Sequence, residues 1–302
     1  MLNYNNRSSK IRERAARGIF TVAALFSLGA LLVITIFLLC NGVPFIARTG
    51  FGKFVLGAEW RPLADTPSYG ILPMIVTSLY VTALAVIFGV VIGLSTAVCL
   101  YRFCPRKLVS PVRQMINLLA GIPSVIYGLF GMTVIVPFLR DYLSPTGVGY
   151  GILAAAIVLS VMILPTVVSV SLDSLSSVPI SYYEGALALG STEAEATFKI
   201  VLPAAKSGVT SGVILAVGRA LGETMAVIMV VGGSPEMPKS LFQSVRTLTS
   251  NIAMGAMELD ENTQEALIAS GVVLLVFALL LNISFSFLKQ DWSERRKRRG
   301  KV

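Results

Sequence analysis

Ser181-Tyr-Tyr-Glu-Gly-Ala-Leu-Ala-Leu-Gly-Ser-Thr-Glu-Ala-Glu-Ala-Thr-Phe-Lys-Ile-Val-Leu-Pro203 is a polar stretch set between long apolar runs. Its punctuation predicts two short helices joined by a glycine turn. Ser181 and Glu184 stand at capping-box spacing, and so do Thr192 and Glu195. Gly190 falls where the first helix would end in a left-handed cap, and Pro203 reads as a stop after the second. A compact knob of this kind is suited to docking in a groove on a soluble partner. An ordinary loop between membrane helices is the alternative.

Outward from the knob, the composition is that of a polytopic membrane protein. Of 302 residues, 55% are hydrophobic and 14% charged, with a mean hydropathy of +0.78. Six stretches reach the roughly 20 apolar residues a membrane helix needs: about 18–40, 70–101, 115–139, 150–172, 208–232 and 266–288. The expected fold is therefore an all-α membrane protein of six transmembrane helices. The first run follows a basic flank, but it is too long for a signal peptide and no small-x-small site follows Cys40. It reads as a retained anchor.

Lys and Arg set the expected orientation. Eighteen lie in the N-terminal tail, the 102–114 loop, the 173–207 loop and the C-terminal tail, against six in the opposite loops. The positive-inside rule puts both termini and the knob in the cytoplasm. The resulting divisions are a basic tail over 1–17, an anchor over 18–40, a periplasmic segment over 41–69, a core over 70–288 with its cytoplasmic loop at 173–207, and a basic tail over 289–302. Glu294-Arg-Arg-Lys-Arg-Arg-Gly-Lys301 reads as an anchor at anionic headgroups rather than a nucleic-acid site.

The chain has no histidine, which excludes histidine acid–base catalysis, ligation and proton relay. Cys40, Cys99 and Cys104 lack metal-ligand spacing and are expected as free, packed thiols, so neither a metal nor a cofactor is expected. No stretch has the Gly-x-x-x-x-Gly-Lys-Ser/Thr form that cradles nucleotide phosphates. The chain reads as a non-enzyme, and any ATP hydrolysis that drives it belongs to another polypeptide.

Arg219 and Glu223 lie inside the fifth apolar run. Arg219 falls roughly 16 Å along that run at 1.5 Å per residue, near mid-bilayer. Glu223, four residues on, shares its face one turn further. Intramembrane charge costs at least ~2.5–3.5 kcal/mol and should face the bundle or a water-filled path. One reading is that Arg219 attracts an anion in transit and Glu223 restrains it at rest; the other is a structural ion pair. Thr224, Ser124, Tyr127, Thr166 and Ser169 are further path candidates, each equally able to bond its own helix backbone. Pro73, Pro123, Pro137 and Pro165 are expected to interrupt or bend spans. Gly89/Gly93, Gly208/Gly212 and Gly218/Gly222 are small-xxx-small pairs suited to close helix approach. Phe45, Phe51, Phe54 and Trp60 are expected in the headgroup belt. Leu241, Val245, Leu248 and Ile252 stand at helical spacing, for a helix lying on the membrane or touching a delivery protein.

Glu184, Gly185, Ala186, Gly190, Ile200, Leu202 and Pro203 fit a longer pattern: Glu-Ala-Ala, three residues, Gly, nine residues, Ile, one residue, Leu-Pro. With Gly185 as its one departure, the stretch resembles the ATPase-coupling loop of ABC importer permeases, the subunits of binding-protein-dependent importers. From about 70 to 288 the chain resembles the phosphate-importer permeases of the PstC type. Gly121-Ile-Pro-Ser-Val-Ile-Tyr-Gly-Leu-Phe-Gly131 and Gly218-Arg-Ala-Leu-Gly-Glu-Thr-Met-Ala226 carry that resemblance. It implies the type I importer fold in a bacterial inner membrane and import of phosphate by alternating access. It also implies partners: a second, PstA-like permease, two cytoplasmic PstB-like ATPases and a periplasmic or lipid-anchored PstS-like phosphate-binding protein. The alternatives are the PstA-like subunit itself, a permease for another oxyanion such as molybdate or sulfate, a secondary transporter driven by an ion gradient, and a scaffold or sensor that moves nothing.

Overall fold

The computed structural model describes residues 7–256 and 260–299, with side chains over 13–256 and 260–284. The basic C-terminal side chains and much of the N-terminal tail lie outside that range. The chain is helical apart from one small hairpin among the described residues. Helix α1 (Arg7–Thr49) runs through Pro44 and is followed by α2 (Phe51–Leu56). Strands β1 (Trp60–Arg61) and β2 (Ser68–Tyr69) pair antiparallel and lead into α3 (Leu72–Val98). Helix α4 (Arg106–Ala120) precedes α5 (Ser124–Phe130) and α6 (Val136–Tyr142). Helix α7 (Ile152–Ser176) leads to α8 (Ile180–Ala188), the single turn α9 (Glu193–Glu195) and α10 (Leu202–Gly222). The short α11 (Met225–Ile228) and α12 (Leu248–Gly255) precede α13 (Glu261–Arg299), which Asp260 caps by accepting from the Thr263 amide and hydroxyl. Those two donors hold the Asp260 carboxyl below its ordinary range.

Six helical stretches are long and apolar enough to cross a membrane. Three differ from the sequence reading. The first reaches Thr49, since Pro44 does not stop it. The third begins at Ser124, because the Gly121-Ile122-Pro123 break splits the apolar run 115–139 and leaves its first residues on the amphipathic α4. The fifth occupies Glu193–Gly222 rather than 208–232. Three wide π turns, Cys99–Phe103, Gly131–Ile135 and Ala196–Val201, each end two residues before a proline: Pro105, Pro137 and Pro203. At Pro137 and Pro203, where the helix continues, the proline ring would crowd the carbonyl four residues back and the widened turn relieves it; at Pro105 the helix has already ended at the extended Cys104.

The bundle is organised around α7, the most enclosed span; α1 is the least. Helix α3 lies against α7 at Gly89 and Gly93. A methyl group at Gly89 would come within 2.7 Å of the Ile163 side chain, and one at Gly93 within 2.8 Å of Val167. Helix α10 approaches α7 likewise at Gly208 and Gly212, facing Ser174 and Val170. Gly218 and Gly222 meet nothing within 4 Å and line an open apolar groove with Leu38, Leu274 and Phe277. Gly93→Leu should therefore force α3 from α7 and cost about 1–3 kcal/mol. Gly218→Leu should be neutral in the isolated chain. Thermal unfolding of the two variants in detergent checks the contrast.

The 41–69 aromatics are not a headgroup belt. Phe45, Phe54 and Trp60 are buried, and only Phe51 is exposed. The hairpin brings Tyr69 edge-on to Phe45 and Trp60, at 5.3 and 6.0 Å between ring centroids. Ile71, Met74, Leu248 and Ala266 complete this cluster, so the segment is a folded cap on one end of the bundle. The 233–265 segment also departs from expectation. Its helix starts only at Leu248, while Val245 is tied by backbone bonds to Val231 and Gly233. Thr247 caps the helix with Ser250, and Ser250 and Asn251 are fully buried. Val245 and Thr247–Asn251 pack into the bundle instead of lying along a surface, while Leu241 stays exposed. Cys40, Cys99 and Cys104 are free, but the first two are exposed on the chain rather than packed.

Candidate functional site: the docking knob and Arg219

Helix α8 follows Pro179, which stands at its N-cap, so Ser181 is already inside the helix and makes no capping bond. The Ser181/Glu184 capping box is thus corrected: the proline sets the start two residues earlier than the serine spacing implies. The end of α8 is as expected. Gly190 takes φ +89°, its amide bonds the Leu187 carbonyl at 2.9 Å, and the Ser191 amide bonds Ala186 at 3.1 Å. This doubly bonded left-handed cap favours glycine. Thr192 and Glu195 form a reciprocal capping box, and Lys199 pairs with Glu195 at 2.9 Å. Pro203 does not end the second helix. The chain passes through the π turn Ala196–Val201 directly into α10, so the knob is one short helix joined to the leading turns of the fifth span.

The knob has an inner and an outer face. Inward, Tyr183 is 1% exposed and Ala186 is buried, packed with Leu100, Leu175, Ala196 and Val201. The Arg102 guanidinium lies 4.0 Å above the Tyr183 ring, and Phe103 stacks on Phe198 at 6.2 Å. These contacts seat the knob on the end of α3. Outward, Glu184, Gly185, Ile200 and Pro203 are exposed, Leu202 is half-buried, and Leu189 is 91% exposed beside Gly190. Sequence reasoning missed Tyr183, Arg102 and Leu189. The inward spacing of Tyr183, Ala186 and Leu187 was the available signal.

Arg219 is half-buried on α10, and its Nη1 reaches the Thr166 hydroxyl of α7 at 3.5 Å, the outer limit of a hydrogen bond. Glu223 does not share its helical face. Helix α10 ends at Gly222, and Glu223 is extended, with ψ 131°. The Glu223 carboxylate accepts from the Ala226 amide at 3.1 Å, and its carbonyl accepts from the Thr249 hydroxyl at 2.9 Å. Among the described residues no Arg219–Glu223 ion pair forms, and the i, i+4 reading fails because its helix stops one residue short. Glu223 instead stitches the end of α10 to α11 and α12. Thr224 bonds back to the Gly222 carbonyl at 3.4 Å. Ser169 is half-buried one turn beyond Thr166, and Ser124 is half-buried at the start of α5. Tyr127 is buried, and its hydroxyl donates to the Leu119 carbonyl at 2.6 Å. Arg219 thus keeps most of its five donors uncommitted, an arrangement that can receive an anion.

Residues 89–299 match the family described as "Binding-protein-dependent transport system inner membrane component". The chain belongs to that family. It is 37% identical over 300 residues to a probable ABC transporter permease protein, YqgH, of Bacillus subtilis, covering 97% of this chain and 94% of that one. It is 34% identical to the phosphate transport system permease protein PstC of Mesorhizobium japonicum, over 86% of this chain and 84% of the relative. The probable PstC of Methanocaldococcus jannaschii is 32% identical, with 91% and 93% covered. Two solved structures share the fold. A bacterial ABC transporter for alginate import superposes with TM-score 0.63 at 15% identity, covering 93% of this chain and 99% of its own. The inward-facing MetNI methionine transporter gives 0.60 at 21% identity, over 74% and 95%. The chain is thus a permease subunit of an ABC importer.

Proposed function

We propose that this permease imports inorganic phosphate by alternating access across a bacterial inner membrane, in an assembly driven by ATPases on separate chains. In this reading both termini and the knob face the cytoplasm, and two PstB-like ATPases dock below. A PstA-like permease completes the pore, and a PstS-like binding protein delivers phosphate from the other side. The observation that carries the reading is the knob: an exposed ridge of Glu184, Gly185 and Leu189 on a buried socket around Tyr183 and Ala186. At its tip Leu189, 91% exposed, offers an apolar side chain for a partner's pocket. Phosphate as cargo is supported by the PstC relatives and by the uncommitted guanidinium of Arg219.

The test is phosphate uptake into proteoliposomes holding this chain, its co-permease and ATPase, with the delivery protein outside and ATP inside. ATP-dependent uptake that vanishes when this chain is left out supports the reading. ATP-driven uptake of another oxyanion keeps the architecture and replaces the cargo. Uptake that needs only an ion gradient overturns the ATPase-coupled reading.

A further inference from the structure

The break between α4 and α5 carries an inference that rests on the importer reading above. In an uninterrupted helix the Leu119 carbonyl would accept from the amide at 123, but position 123 is proline and has no amide hydrogen. A buried carbonyl left unfilled is costly. Two donors meet it here: the Ile122 amide at 3.2 Å and the Tyr127 hydroxyl at 2.6 Å. The shorter bond spans the break, from the first turns of the membrane part of the third span back to the last turn of α4. Tyr127 is only 7% exposed and Leu119 half-buried, so the bond is partly shielded from water.

The helix on the far side of the break links two parts of the molecule. Val112 and Ile116 of α4 pack on the cluster that holds Tyr183 and Ala186 of the docking knob. Leu119 and Ile122 pack on the central cluster around Tyr127, Ala216 and Ala220. Arg113 pairs with Asp173 at 2.7 Å, seven residues before α8 begins. The last turn of α7, the knob and α4 therefore pack together; α7 and α10 run from this region straight into the bundle, and α4 adds a separate connection across the Gly121–Pro123 break.

We propose that Tyr127 is a positioning residue for transport. Its hydroxyl fixes the angle between α4 and α5, so that displacement of the knob is transmitted through α4 to the third and fifth spans. Tyr127 touches no cargo in this account; it acts through the Leu119 carbonyl.

The decisive variant is Tyr127→Phe, which keeps the ring and removes the hydroxyl, with Tyr127→Leu as the packing control. In the reconstituted assembly, phosphate uptake and ATP hydrolysis are measured in the same vesicles. The expected result is ATP hydrolysis near wild type with phosphate moved per ATP about five-fold lower in Tyr127→Phe, the scale of one lost hydrogen bond. A wild-type ratio in Tyr127→Phe, with a deficit only in Tyr127→Leu, would reduce the residue to packing and overturn the proposal. A second readout does not depend on the cargo. Spin labels at Met115→Cys and Phe138→Cys, both exposed positions, are placed in a background with the native cysteines replaced by Ser. They report the α4–α6 distance in the assembled complex in nanodiscs. Tyr127→Phe should broaden that distribution, and an unchanged distribution would refute the pin even if phosphate proved to be the wrong cargo.

Discussion

Leu189→Asp is expected to abolish ATP-dependent uptake while the chain still folds and inserts. Leu189 is 91% exposed at the tip of the knob, so its replacement removes no packing within the chain. At a docked interface the same side chain would sit in a desolvated pocket, and truncating such an anchor costs about 2 kcal/mol or more. A buried carboxylate adds its own desolvation cost. The combined effect corresponds to at least ~30-fold weaker association with the ATPase. Co-purification of the ATPase with the membrane-inserted variant measures it. Glu184→Lys is a companion on the exposed side of α8, expected to lose coupling through charge reversal. Gly190→Ala tests something different, because it strains a φ of +89° and should loosen the cap by about 1 kcal/mol without touching the docking ridge. If Leu189→Asp binds ATPase normally and transports, the knob is an inert loop.

What the sequence disclosed about this region, and what it hid, follows from the range of the forces involved. Gly190 and the Thr192–Glu195 pair were legible because a left-handed cap and a capping box are settled within a few residues. Ser181 was misleading because an equally local signal, Pro179, outranked it as the helix start. Pro203 was misread as a stop, since a π turn upstream lets the helix carry a proline, and nothing in the spacing announces that turn. The six apolar runs gave the architecture because hydrocarbon demands length and apolarity of any span. Their ends were less readable. The end of α10 at Gly222 coincides with a bond from Thr249 to the Glu223 carbonyl, a partner 26 residues away. The burial of Phe45, Phe54 and Trp60 likewise depends on a hairpin and on Leu248 of a distant segment. Aromatic composition alone favoured the membrane interface, and tertiary packing decided otherwise.

Arg219 is where loss of one side chain should cost most in transport itself. Arg219→Ala is expected to lower phosphate uptake about 100-fold, since a charge-assisted hydrogen bond contributes roughly 1.5–3 kcal/mol and an oxyanion in transit engages more than one. Arg219→Lys should recover only a small part of this, because an ammonium is a point donor and lacks the planar fork that grips two oxygens. Thr166→Val separates the two available accounts of the residue. If Arg219 serves packing, losing its one hydroxyl contact should mimic Arg219→Ala; if it serves the anion, Thr166→Val should transport nearly normally. Glu223→Gln sharpens the case further. Gln retains a carbonyl oxygen for the Ala226 amide, so the turn into α11 survives while the negative charge is removed. Uptake by Glu223→Gln near wild type would agree with the separation of the two side chains and leave Arg219 as the charge that matters. A severe loss in Glu223→Gln, with membrane insertion intact, would restore the carboxylate to the transport cycle and require a state in which α10 extends past Gly222 to bring the two charges onto one face.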